Sequence, residues 1–193
     1  MARLDILTAN DEVGAYPASW YAATATPPAE QPQAKGDLSC DVCVVGAGFT
    51  GLSAALHLAE RGYDVILLDA HRAGFGASGR NGGQVSGTQR LDQDELEKMV
   101  GLDAARGLWE IGQDSVKVLR GLIDAHKIDA RWVSGVIHAD HRARFVAHSK
   151  AYAEKLQEDY GYGLIRALDK SEIRNLVGSD AYHGGTLDMG AGH

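Results

Sequence analysis

DVCVVGAGFTGLSAALHLAERGYDVILLD, residues 41–69, is the stretch whose reading decides the fold. DVCVV is short, β-branched and apolar at successive positions, the pattern of a strand covered on both faces. A glycine-rich turn, GAGFTG, leads into LSAALHLAERG, where Leu52, Ala55, Leu56 and Ala59 fall at i, i+3, i+4 and i+7 on one helical face. Gly62 stands where helices end on a left-handed residue. YDVILLD then reads as a second buried strand. Strand, turn, helix and strand in so short a span form a right-handed βαβ unit.

The turn itself points to chemistry. Gly46, Gly48 and Gly51 supply G-x-G-x-x-G, a weak signal alone, but the strand before it and the amphipathic helix after it are the context it requires. Gly46 permits the tight turn, Gly48 lets a pyrophosphate approach the backbone, and Gly51 lets helix and strand pack. Ala47, Phe49 and Thr50 complete the loop, and the helix start offers unpaired N–H groups and partial positive charge to phosphate. Asp69 closes the second strand, 18 residues past Gly51. A carboxylate there accepts both hydroxyls of an adenosine ribose and repels a 2′-phosphate, which disfavours NADP. The pattern predicts a bound dinucleotide and leaves NAD and FAD open.

The next segment separates them. GFGASGRNGG, residues 74–83, is half glycine, and each glycine inside a helix or strand costs about 0.5–1 kcal/mol relative to alanine. An NAD-type domain runs from its second strand into another crossover helix, which this composition forbids. Bare main chain suits close contact with something large and flat, a pyrophosphate or a flavin ring, while Arg80 and Asn81 offer side-chain donors. The plainer alternative is a surface loop.

Outside this region the chain is an ordinary globular one. It has 193 residues, 45% hydrophobic and 23% charged, with a formal net charge of −7, which gives no reason to expect nucleic acid or an anionic membrane as partner. No apolar run is long enough for a membrane span, and MARLDILTANDEVGAYP carries acids where a signal peptide needs an apolar core, so the expected location is cytoplasmic. Cys40 and Cys43 are the only cysteines. Their spacing is half a zinc site at most, so no metal is expected. Cys43, inside a strand, is expected buried and Cys40 solvent-near.

Residues 1–39 hold all four prolines and read as an extended arm, with Trp20 and Tyr21 expected against a folded body. Residues 40–90 read as the first part of a dinucleotide-binding domain. Residues 91–193 read as helices over Leu91–Val100, Asp103–His126, His141–Tyr160 and Asp169–Val177, a strand over 131–139, and another starting at GGTLDM. In the long helix, Leu108, Ile111, Val118 and Leu122 form one column and Trp109, Gly112, Val116, Leu119 and Ile123 the next, both read as core. His138 and His141 are read as surface or capping residues, and no catalytic acid, base or nucleophile stands out. A doubly wound sheet needs five or six parallel strands and only two are evident. The expectation is therefore the N-terminal part of a longer protein: an α/β fold with an incomplete Rossmann-like unit plus part of an α+β substrate domain.

Residues 41–70 followed by GFGASGRNGGQ resemble the FAD-dependent amine and amino-acid oxidases of the D-amino-acid oxidase superfamily. Within it they are most similar to the gamma-glutamylputrescine oxidoreductase group, as are the upstream SWYAAT and the terminal GGTLDMGAGH. The resemblance implies FAD, with its pyrophosphate on Gly46 to Gly51 and its ribose on Asp69. The strip Ala77, Ser78, Arg80, Asn81, Gly82, Gly83 and Gln84 would lie along pyrophosphate and flavin. Residues 75–89 contain no histidine or cysteine, so non-covalent FAD is expected. The implied activity is oxidation of a C–N bond in an amine or amino acid to an imine, with oxygen as acceptor and peroxide as product. An NAD-dependent dehydrogenase and a non-catalytic nucleotide-binding remnant are the alternatives.

Overall fold

The computed structural model describes residues 15–193, so the first fourteen residues of the expected arm lie outside the described residues. The chain divides after Gly82 into two compact units.

In the first unit, helix α1 (Trp20–Thr24) starts at Ser19, whose side chain accepts from Ala22 N. Strand β1 (Val42–Val45), helix α2 (Phe49–Glu60) and strand β2 (Val65–Leu68) follow. The two strands pair in parallel from Val42↔Val65 to Val45↔Leu68, which makes the expected βαβ unit. Asp64 N donates to Asp41 Oδ2 at one end of the pair (2.9 Å). At the other end Gly46 N donates to Leu68 O (2.7 Å). Gly62, at φ +87°, ends the helix as its position predicts.

Two expectations are corrected here. The first strand is not covered on both faces: Cys43 is exposed and Val45 is 84% exposed, while Cys40 is half-buried, the reverse of the expected order. Apolar residues on both faces of a strand record what each face tolerates. Coverage comes from packed elements, and here α2 lies on the Val44 side, with Val44 Cγ1 directed at Gly51. Trp20 is 78% exposed and Tyr21 is exposed as well. The aromatic that docks is Tyr16, whose ring centroid lies 3.6 Å from the Arg72 guanidinium carbon. A cation over a ring face gains electrostatic attraction that a single-turn helix cannot supply to its own indole.

In the second unit, helices α3 (Gln93–Val100) and α4 (Leu102–His126) meet at Gly101, which ends one and starts the other at φ +84°. Strand β3 (Ser134–Ala139), helix α5 (Ala143–Tyr160), strand β4 (Ile165–Leu168), helix α6 (Lys170–Val177) and strand β5 (Gly185–Gly192) complete it. The strands form an antiparallel sheet in the order β3-β5-β4, so the last strand is the central one. Trp109, Ala153, Leu156 and Ile165 form its core, with Tyr152, Tyr160 and Tyr162 packed around them. Of the two α4 columns read as core, Trp109, Gly112 and Val116 are buried, whereas Ile111 is 66% exposed and Val118 is also exposed. Leu108, Leu122 and Ile123 are half-buried and Leu119 is exposed, so the buried stripe is narrower than either column and runs through Trp109, Gly112 and Val116.

Polar groups tie this core to the helices. The buried Gln93 side chain donates to Ala105 O (2.6 Å) and its backbone N donates to Tyr152 Oη (3.1 Å). Burial pushes the Tyr152 phenol up to about 12. Tyr160 Oη donates to Glu97 Oε1 and Lys155 Nζ lies 3.0 Å from Glu97 Oε2. The Tyr160 hydrogen bond first, then Lys155, holds the Glu97 carboxyl below its ordinary range.

Candidate dinucleotide-binding site

The glycine turn is fastened at several points. Gly46 takes φ +102°, a conformation open to glycine and strained for other residues. Ala47 is buried; its N–H donates to Asp69 Oδ2 (2.7 Å) and its carbonyl accepts from Gly74 N (2.9 Å). Gly48 caps α2 without a side chain, and Phe49 N donates to Ser78 Oγ (3.0 Å). At Gly51 a Cβ would lie 3.1 Å from the Gly46 carbonyl carbon and closer still to its oxygen. The tight contact is with the turn's own backbone, and Val44 Cγ1 of β1 would lie 3.4 Å from the same Cβ.

The glycine-dense segment explains its own composition. It forms one 3₁₀ turn, Ala77–Gly79, with Gly79 N donating to Gly76 O and Arg80 N to Ala77 O. A Cβ on Gly79 would stand 3.1 Å from the Gly74 carbonyl carbon and closer to its oxygen, and Gly74 itself sits at φ +69°. Bare backbone is needed so that the strip can fold on itself. Arg80 Nε donates to Phe75 O (3.0 Å), Asn81 Nδ2 donates to Ser78 O (2.7 Å), and the His71 ring stacks on Phe75 (centroids 3.9 Å apart).

Gly46, Ala47, Gly48, Phe49, Gly51, Asp69 and Ser78 are thus brought together by direct bonds or close backbone contact. Thr50 lies in the first turn of α2 beside them, and Ala77, Arg80 and Asn81 belong to the folded strip that carries Ser78. Gly82 closes the first unit; Gly83, at φ +75°, and Gln84 open the second. Sequence reasoning missed the fasteners Gly74 and Gly79, whose five-residue spacing in a non-helical segment was the available signal. It also missed Arg72, for which the sequence carries none. Asp69 departs from the simple expectation: Oδ2 holds Ala47 N and Oδ1 accepts from His71 N (2.8 Å). The carboxylate therefore braces the turn itself, and each oxygen keeps a second lone pair for a ligand hydroxyl.

The arrangement suits a dinucleotide. An α-helix leaves the amides of its first turn without intrahelical partners, and here that turn is glycine-lined, with a Cβ on Gly48 reaching within 3.0 Å of Ser78 Oγ. Ser78, accepting from Phe49, keeps its own proton to donate. Among the described residues no cluster of three or more His, Cys, Asp or Glu is arranged to hold a metal ion, and no helix is long and apolar enough to cross a membrane.

The sequence profile of the DAO family, FAD dependent oxidoreductase, matches residues 41–193. The chain belongs to that family. The FAD alternative of the sequence reading therefore stands over NAD. Gamma-glutamylputrescine oxidoreductase of Escherichia coli (strain K12) is 42% identical over 175 residues, 91% of this chain and 41% of that protein. A probable oxidoreductase OrdL of Rhizobium meliloti (strain 1021) is 37% identical over the same shares. The chain thus spans about two-fifths of the length of these curated relatives. Among solved structures, L-amino acid deaminase from Proteus myxofaciens in complex with anthranilate matches with a TM-score of 0.66 at 19% identity, over 88% of this chain and 36% of that one. Glycine oxidase from Bacillus cereus ATCC 14579 matches with a TM-score of 0.55 at 17% identity, over 80% and 41%. These two likenesses carry the fold.

Proposed function

We propose that this chain carries the FAD-binding turn and part of the substrate domain of an oxidoreductase that converts a C–N bond of an amine or amino acid to an imine. The substrate is gamma-glutamylputrescine-like, oxygen is the acceptor, and hydrogen peroxide is released. The location is cytoplasmic. Supporting this most is the way one glycine turn is fastened both to the end of β2, through Asp69, and to the strip beyond it, through Ser78. The 42% identity to gamma-glutamylputrescine oxidoreductase over most of the chain supports the substrate class.

When bound, FAD supplies the hydride acceptor for the carbon next to the amine. The chain's own residues bind and orient. The Thr50 and Gly51 amides at the start of α2 meet the pyrophosphate, reinforced by the helix dipole. Ser78 donates its hydroxyl proton to the same anion, and Asp69 accepts from the ribose hydroxyls with its remaining lone pairs. Ala77, Arg80, Asn81 and Gly82 extend this contact along the strip, and Gly83 and Gln84 continue the same run of chain. The cofactor is held without a covalent bond, since residues 75–89 offer no histidine or cysteine.

The test is direct. The complete enzyme that carries this chain is mixed with excess FAD, passed through a desalting column, and its visible spectrum recorded; acid precipitation then partitions the flavin. Retained flavin that is released into the acid supernatant is the expected result. No flavin on the protein, or flavin carried down with the pellet, overturns the cofactor assignment. Peroxide release by the complete enzyme from gamma-glutamylputrescine, compared with a panel of amines and amino acids, tests the substrate class.

A further inference from the structure

Strand β5 is irregular at one place. Between the Val136–Asp188 and Ser134–Gly192 pairs, β3 advances two residues while β5 advances four, so β5 holds two extra residues in a bulge. A bulge leaves main-chain groups unpaired and bends the strand. Here Gly190 N donates to Asp188 Oδ1 (2.9 Å), Met189 N donates to Leu164 O (2.9 Å), and Tyr162 Oη donates to the same Asp188 oxygen (2.6 Å). Asp188 is only 4% exposed. Burial first, and then this hydrogen bond, raises the Tyr162 phenol, which therefore remains a donor. A Cβ on Gly190 would stand 3.0 Å from Tyr162 Cζ and closer to its hydroxyl, so the phenol rests directly on the bulge backbone.

Past the bulge the strand changes neighbours. Residue pairing with β4 runs from Gly185 to Asp188, and the Met189 N–Leu164 O bond is the last link on that side. At Gly192 the partner is Val85, through reciprocal bonds of 2.8 and 2.9 Å, while Val133 and His193 pair reciprocally on the other side. Trp132 lies over this point: a Cβ on Gly192 would fall 2.7 Å from Trp132 Cε2. Two residues beyond Val85, Gly87 meets Gly112 of α4 so closely that a Cβ on Gly112 would lie 3.1 Å from the Gly87 carbonyl carbon. Gln89 Nε2 donates to Leu108 O (3.0 Å). The segment that begins with Gln84 is seated at both ends on glycine backbone.

We infer that Asp188 is a positioning residue: its buried carboxylate holds the β5 bulge in shape and so sets the seat on which Val85, the neighbour of Gln84, is held. A residue serving only to fill space at a buried strand position would be apolar, because a buried carboxylate is unfavourable unless hydrogen bonds compensate it. This one caps the bulge amide that the sheet leaves unpaired. The inference rests on the proposed function only in giving Gln84 a cofactor to serve.

Amide hydrogen exchange on the full chain tests it, with Asp188→Ala, Asp188→Asn and Tyr162→Phe beside the wild type. In Asp188→Ala the Val85 and Gly192 amides exchange at least about tenfold faster, while amides of the α4 interior and of the Gly185–Leu168 end of the sheet stay as they were. Asp188→Asn, whose amide oxygen still accepts from Gly190, restores most of that protection. Tyr162→Phe costs a smaller factor at the same two amides, and decides the matter with Asp188→Asn should the alanine variant not fold. Unchanged exchange at Val85, a uniform rise across the second unit, or no rescue by Asn overturns the inference. If the complete enzyme takes up no flavin, it is the proposed function that fails, and the exchange comparison still decides the role of Asp188.

Discussion

Asp69→Ala separates bracing the turn from binding a ligand. In the structure both carboxylate oxygens accept from backbone amides, Ala47 N at 2.7 Å and His71 N at 2.8 Å. Hydrogen bonds to charged groups contribute about 1.5–3 kcal/mol when buried, and Asp69 is exposed, so about 1 kcal/mol each is a fair value. The alanine variant then loses about 2 kcal/mol in the absence of any flavin. Asp69→Asn loses about half of that, since one oxygen still accepts while its NH₂ faces the other amide. In a unit of this size the alanine change lowers the melting temperature of the first unit by roughly 10 °C. Calorimetry without FAD, with exchange at the Ala47 amide as the local readout, measures it. FAD retention should fall by about a further tenfold, the size of one lost charge-assisted bond. An alanine variant that melts with the wild type and keeps Ala47 protected would refute the brace.

Five further changes have defined outcomes. Gly51→Ala drives a Cβ into the Gly46 carbonyl and should cost about 1–3 kcal/mol or more, with loss of flavin retention, seen by denaturant titration and by desalting. In α4, Gly107→Ala and Gly121→Ala meet open space and should each stabilise the second unit by about 0.5–1 kcal/mol. Gly112→Ala in the same helix meets the Gly87 carbonyl and should destabilise by about 1–3 kcal/mol. Denaturation midpoints rank the three. Glu97 is held low by Tyr160 and Lys155, so its contribution is complete above the unfolded value of about 4.3 and is lost as pH falls through its depressed folded value. Unfolding measured at successively lower pH below that point should show the loss in the wild type and a flatter profile in Glu97→Gln.

The βαβ unit was legible because its signals are local: two apolar runs, a glycine turn and one helical column. The helices of the second unit were legible for the same reason, and their ends fall within two residues of the structure. β4 was missed. IRAL is four residues with no alternation of its own, set between two helices whose period runs into it, and it becomes a strand by pairing with β5. The central place of β5 was equally hidden, since sheet order is decided by non-local pairing. Within the candidate site, the glycines of the turn announced themselves by type and spacing. The double engagement of Asp69, the support of Phe49 by Ser78 and the fold of the strip over Gly74 depend on distances between segments up to 29 residues apart, which no window of sequence contains. Cys43 and Ile111 were misjudged for a related reason: side-chain type says what a surface tolerates, and exposure depends on which element arrives to cover it.

The bridge between Val85 and Gly192 joins positions more than a hundred residues apart. Closing so long a loop carries an entropic penalty that grows with its length, and contacts of large sequence separation slow folding. The α3–α4 hairpin and the α5–β4 neighbours meet over short separations and need not wait for it. Docking of the Val85 segment onto the end of β5 is therefore expected as the last step in assembling the second unit, and Trp132, lying over Gly192, is an intrinsic fluorophore placed to time it.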